Sequence, residues 1–254
     1  MMASAVSCGS LRTTNSATAS PESSSVCATA ALRRTAHGHR VAVVGRDAAT
    51  LVSGLTEAAA RAPIRPRLEP PRVVFVFPGQ GSQWAGMGRS LMAAEPEFRA
   101  AIARCDTAIR AEAGWSLIDV LSGKAPMDDI ATLQPTLFSM QVGIASLWRS
   151  WGFMPEAVVG HSMGEVAAAH IAGALSLDDA VRVMCRRSGL LRRITGRGAM
   201  VLVELPLREA REACAAEASR VAVAVSNGPR ASVLSGDVEA LDRIVTTLSA
   251  RGVY

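Results

Sequence analysis

The chain has 254 residues, 49% of them hydrophobic and 19% charged, with a formal net charge of +5. That length is enough for one large or two smaller domains around a real core, and the composition is that of a globular protein. The five cysteines (Cys8, Cys27, Cys105, Cys185, Cys214) are scattered, odd in number and free of any C-x-x-C. They argue against a disulfide framework and a zinc site, and fit a reducing, cytoplasmic setting. Lys124 is the only lysine, the arginines are dispersed and aromatic residues make up 4%. Nucleic-acid binding needs basic residues gathered on one face with stacking aromatics, so that class is disfavoured.

In chain order, residues 1–25 are rich in Ser, Thr and Ala without an apolar period and read as a disordered tail. A misassigned start or an inter-domain linker is a plainer account of it than an organelle transit peptide. Residues 26–71 read as a small accessory unit: a helix over 26–34, a strand over 40–45, and a helix capped by Asp47. A stiff linker through Pro63, Pro66, Pro70 and Pro71 closes it. The apolar run Val73 to Phe77 reads as a parallel strand buried on both faces. It ends in Pro78-Gly79-Gln80-Gly81-Ser82-Gln83, which lacks both G-K-[ST] and the third glycine of a dinucleotide loop. Helices follow over 87–94, 96–113, 116–121 and 135–151. The uncharged stretch 130–148 holds too many Thr, Gln and Ser residues for a lipid-facing helix and reads as a buried one.

Ala157-Val158-Val159 leads into Gly160-His161-Ser162-Met163-Gly164, and Glu165 opens a helix. Strand, sharp turn and helix with a serine at the apex form the nucleophile-elbow pattern. In such sites one oxyanion N–H comes from the residue after the serine and another from a neighbouring strand end, which makes Met163 and Gln80 candidates for that pair. Ser176 opens a further helix whose apolar stripe is Leu177, Ala180, Val181, Met184, Leu191 and Ile194. Arg187 falls inside that stripe, while Arg182, Arg186 and Arg193 lie on another face. A cation on a buried stripe is either paired with a carboxylate or held for a site that receives one. From residue 198 the order becomes strand, helix, strand, strand, helix, with Asp237 capping the last. That is one strand short of a ferredoxin-like unit, and Val253-Tyr254 reads as the start of the missing strand.

Phe75-Val76-Phe77-Pro78-Gly79-Gln80-Gly81-Ser82-Gln83-Trp84, followed by Gly160-His161-Ser162-Met163-Gly164-Glu165, resembles the acyltransferase domain of a modular type I polyketide synthase. Such domains are similar to malonyl-CoA:acyl-carrier-protein transacylases, and the wording around the elbow is most similar to mycobacterial-type synthases. The resemblance covers about 26–254, its first part resembling the linker between a ketosynthase and an acyltransferase. It implies an α/β-hydrolase-like core with a parallel sheet and the elbow over 72–197, and an incomplete ferredoxin-like subdomain over 198–254.

By the same resemblance, Ser162 takes a malonyl or methylmalonyl group from coenzyme A and passes it to the phosphopantetheine thiol of an acyl carrier protein, in polyketide or fatty acid biosynthesis. Gln80 and Met163 supply oxyanion N–H groups, Arg187 binds the free carboxylate of the acyl group, and His161 is counted with it at the substrate. No metal and no bound cofactor is implied; the partners implied are the carrier protein and the other synthase domains. The family's general base is a histidine beyond the ferredoxin-like unit, past residue 254. His161 adjoins Ser162 and diverges from it at the turn, and His170 lies about 12 Å along the helix at 1.5 Å per residue. His37 and His39 belong to the linker. The expectation is therefore a primed serine lacking its base. A non-catalytic remnant or docking piece of a split synthase is the alternative, with a serine esterase behind it.

Overall fold

A computed structural model describes residues 41–61, 72–81 and 83–253 of the chain. They belong to two compact units, one ending at Arg72 and the other starting at Val73. The tail, the helix expected over 26–34 and the proline-rich segment lie outside the described residues.

In the first unit, helix α1 (Ala48–Ala60) begins where Asp47, in extended backbone, accepts from the Thr50 N–H at 2.7 Å. That hydrogen bond holds the Asp47 carboxyl below its ordinary range. The strand expected over 40–45 does not form over its described part: 41–45 is irregular, and Val44 is 93% exposed. A strand is stable only when a neighbour completes its ladder, and no described strand belongs to this unit.

The second unit holds two hydrophobic clusters. The larger is built by β1 (Val74–Phe77), α2 (Arg89–Ala94), α3 (Pro96–Ala113), α4 (Leu117–Ser122), α5 (Ile130–Ser150), β2 (Ala157–Gly160), α6 (Gly164–Ile171) and α7 (Leu177–Arg192). Phe98 and Ile102 of α3, Phe138 of α5, Met163 before α6 and Met184 of α7 are fully buried in it. Helix α5 starts at Ile130, upstream of the expected Pro135, because Asp129 caps it by accepting from the Ala131 N–H at 2.8 Å. Pro135 then sits inside the helix, where its missing N–H forgoes one intrahelical bond. As expected, α5 is largely buried, and no helix among the described residues is long and apolar enough to cross a membrane.

β1 and β2 pair in parallel, Val74 opposite Ala157 and Phe77 opposite Gly160. The expectation that β1 is buried on both faces is corrected here: Val74 and Val76 are exposed, whereas Phe77 is buried. Among the described residues this sheet has only two strands, so nothing covers the face that carries the valines. A cavity of about 760 Å³ runs beside β1, lined by residues that include Phe75, Trp84, Met87, Ile144 and Trp148.

The smaller cluster is formed by β3 (Ala199–Val203), α8 (Leu207–Cys214), β4 (Val221–Gly228), β5 (Ala231–Gly236) and α9 (Val238–Ala250). The three strands form an antiparallel sheet in the order β3-β5-β4, with both helices packed against the cluster around Leu234 and Leu241. This is the strand-helix-strand-strand-helix order read from the sequence. Val253 forms no strand and packs half-buried against this cluster, and Tyr254 lies outside the described residues.

Candidate active site

The site begins with a turn too tight for ordinary residues. The Phe77 carbonyl at the end of β1 accepts from the His161 N–H at 2.9 Å, which pins the end of β2 beside it. A Cβ on Gly160 would run into the Glu165 backbone, and one on Gly164 would run into the Phe77 carbonyl. Both positions therefore require glycine. Between them Ser162 has φ 54, and among the described residues it is the only non-glycine at positive φ. Holding a serine there costs about 1 to 3 kcal/mol, and the return is an exposed hydroxyl at the N-terminus of α6.

Arg187 reaches this hydroxyl from α7. Its Nη2 lies 3.4 Å from Ser162 Oγ, and its Nη1 donates to Gln134 Oε1 at 2.5 Å. Gln134, only 4% exposed, donates through Nε2 to Gln80 Oε1 at 2.9 Å. Thus Ser162, Arg187 and Gln80, far apart in sequence, are joined through a single buried glutamine. Among the described residues Arg187 has no carboxylate partner. Its neighbours on the other face do form ion pairs: Arg182 with Asp179 and Glu112, and Arg186 with Glu112. Of the expected stripe, Ala180, Val181 and Met184 are buried, but Ile194 lies past the helix end and is 57% exposed.

Met163 is fully buried, so its side chain belongs to the core and only its main chain faces the turn. Neither its N–H nor that of Gln80 donates a hydrogen bond to another described residue. His161 turns away from the serine: its Nε2 is 3.0 Å from Asn227 Oδ1 near the end of β4, tying the elbow to the smaller cluster. His170 Nδ1 accompanies the Leu175 carbonyl at 3.1 Å, with its ring beside Phe138. Neither described histidine is bonded to Ser162; His37 and His39 lie outside the described residues. Burial pushes the thiols of Cys105 and Cys185 up to about 11, so neither competes as a thiolate nucleophile. Among the described residues no cluster of His, Cys, Asp or Glu could hold a metal ion.

Sequence reasoning missed Gln134, Gln141 and Asn227 as site residues. Gln141 donates to the Pro78 carbonyl at 2.7 Å, so two glutamines seven apart on α5 hold the loop after β1. The available signal was a pair of large amides, two helical turns apart, in a helix otherwise suited to burial.

The acyl transferase domain family matches residues 74–254. The chain is 44% identical over 230 residues to the spectinabilin polyketide synthase system protein NorC of Streptomyces orinoci, covering 87% of this chain and 10% of that protein. A loading acyltransferase from the avermectin modular polyketide synthase is 45% identical with a TM-score of 0.68, over 71% of this chain and 59% of that one. The acyltransferase domain from module 8 of the salinomycin polyketide synthase is 40% identical with a TM-score of 0.78, over 91% and 57%. The chain thus spans a tenth of the synthase protein and somewhat over half of each solved chain.

Proposed function

Because this chain belongs to the acyl transferase domain family, we propose that it handles a malonyl or methylmalonyl group, carried on Ser162 between coenzyme A and an acyl carrier protein. Ser162 Oγ attacks the thioester carbonyl, the C–S bond breaks, and coenzyme A leaves as the thiol. The phosphopantetheine thiol then attacks the serine ester and regenerates the hydroxyl. Gln80 and Met163 main-chain N–H groups hold the negative charge that develops on the carbonyl oxygen in both steps. No resident cofactor is required, and the ketosynthase and carrier protein of a synthase are the expected partners.

The observation that carries this reading is Arg187: a half-buried guanidinium without a carboxylate partner among the described residues, 3.4 Å from the serine hydroxyl. A planar fork in that position is suited to an acyl group that ends in a carboxylate. Clamping that carboxylate aligns the thioester carbonyl on Oγ, which is how positioning lowers the barrier. His161, engaged by Asn227, keeps the smaller cluster's hairpin beside the acyl site.

Neither described histidine is bonded to Ser162, so among the described residues the hydroxyl has no activating base, and acylation is expected to be slow. Incubation with radiolabelled malonyl-CoA, acid trapping and peptide mapping test the assignment. Slow label on the Ser162 peptide, lost in Ser162→Ala, is expected. Label elsewhere would sink the assignment, fast turnover to a carrier protein would refute the missing-base argument, and no label at all would favour a non-catalytic docking piece.

A further inference from the structure

We propose that Gln134 is the positioning residue that couples recognition of the acyl carboxylate at Arg187 to the oxyanion loop at Gln80. The inference rests on Arg187 being the carboxylate clamp.

Gln134 sits about one turn into α5, with its backbone fixed by a helix packed against α3, α6 and α7. It is 4% exposed, so its amide has no water to turn to and must be satisfied by protein. Both ends are: Oε1 accepts from Arg187 Nη1 and Nε2 donates to Gln80 Oε1. The guanidinium has no acceptor atom, so Oε1 must face it. The amide can therefore adopt only one orientation, and its NH₂ must point at the loop. Gln141, two turns further along α5, holds the Pro78 carbonyl. The loop that carries the Gln80 N–H is thereby held at two points by one rigid helix.

The consequence is chemical as well as structural. Arg187 spends one N–H on Gln134 and has another near Ser162, which orients the guanidinium before any substrate arrives. A carboxylate that draws the guanidinium toward itself pulls on Gln134, and Gln134 pulls on Gln80. Loading an acid-bearing acyl group then sets the oxyanion loop, whereas an uncharged acyl group leaves it as it was. A glutamine can do this because it is an acceptor at one end and a donor at the other; a glutamate offers acceptors only.

Calorimetric titration of the full chain with malonyl-CoA and with acetyl-CoA, alongside Gln134→Met and Gln134→Glu, tests this. Methionine keeps the volume and removes both hydrogen bonds; glutamate neutralises Arg187 and has no donor for Gln80. In both variants the preference for malonyl-CoA should fall about tenfold, the scale of one hydrogen bond to a charged group, while acetyl-CoA affinity stays within about twofold. Hydrogen exchange of the 78–81 peptide should slow on adding malonyl-CoA to the parent chain and stay unchanged in either variant. Thermal unfolding identifies a variant that fails to fold, and the other then decides. A malonyl preference and loop protection that survive in the folded variants would overturn the coupling alone. No malonyl preference in the unmodified chain would overturn the reading of Arg187 itself, and the coupling with it.

Discussion

Ser162 shows what a site costs at the level of one residue. Its φ of 54 is a conformation that L side chains avoid, and the glycines on either side exist so that β1, β2 and α6 can close on it. Strain retained for function disappears when the function is removed. Ser162→Gly should therefore raise stability by about 0.5 to 1 kcal/mol in urea unfolding while abolishing acyl labelling. A variant less stable than the parent would show that the serine is comfortable where it is, and the elbow would lose its energetic signature. Arg187 makes the complementary point. Among the described residues it has no carboxylate partner, whereas carboxylates pair with Arg182 and Arg186 on the other face of the same helix.

Between elements, the polar contacts do more than cap. Asp106 of α3 accepts from Arg110 Nε at 2.8 Å, from Ser116 Oγ at 3.1 Å and from the Ile118 N–H at 3.2 Å, joining α3 to the start of α4. Burial alone would push its carboxyl up, but the hydrogen bonds from Arg110, Ile118 and Ser116 outweigh it and hold the carboxyl below its ordinary value. A folded pKa below the unfolded one, about 3.9, stabilises the fold at every pH above that value, and the contribution fades as pH falls through the folded value. Asp106→Asn should therefore be less stable than the parent at pH 7 and lose less on acidification. Urea midpoints measured between pH 7 and pH 3 should converge; parallel curves would refute the assignment. Asp129 works in the same way at the start of α5, where its placement of the helix also places Gln134.

For the whole of the second unit, the important fact is that it holds two separate cores. The cluster around Phe98, Phe138 and Met184 carries the elbow and Arg187, and the cluster around Leu234 carries the three-stranded sheet. Leu234 is fully buried in the central strand, so Leu234→Ala should cost about 2 to 5 kcal/mol. The loss should fall on the smaller core first. Hydrogen exchange is expected to accelerate over β3 to α9 while the 98–109 and 137–147 segments keep their protection; uniform acceleration would mean the two cores unfold as one. The His161–Asn227 contact is where such a loss would be felt at the serine, since it joins the elbow to β4.

The sequence by itself determined the local structures. The caps at Asp47, Ser176 and Asp237, the full span of α3 and the turn around Ser162 all depend on residues within a few positions of one another, so a linear reading reaches them. The family resemblance then supplied the roles proposed for Gln80 and Arg187. Tertiary structure alone decided what depends on distant partners. It left 41–45 without a strand, exposed one face of β1, and turned His161 to Asn227. It also set Gln134 between Arg187 and Gln80, 53 residues from one and 54 from the other. The physical reason is the same in each case. A helix cap finds its partner within one turn, but a ladder, a buried amide or a long-range hydrogen bond is satisfied only by groups that folding brings from elsewhere in the chain.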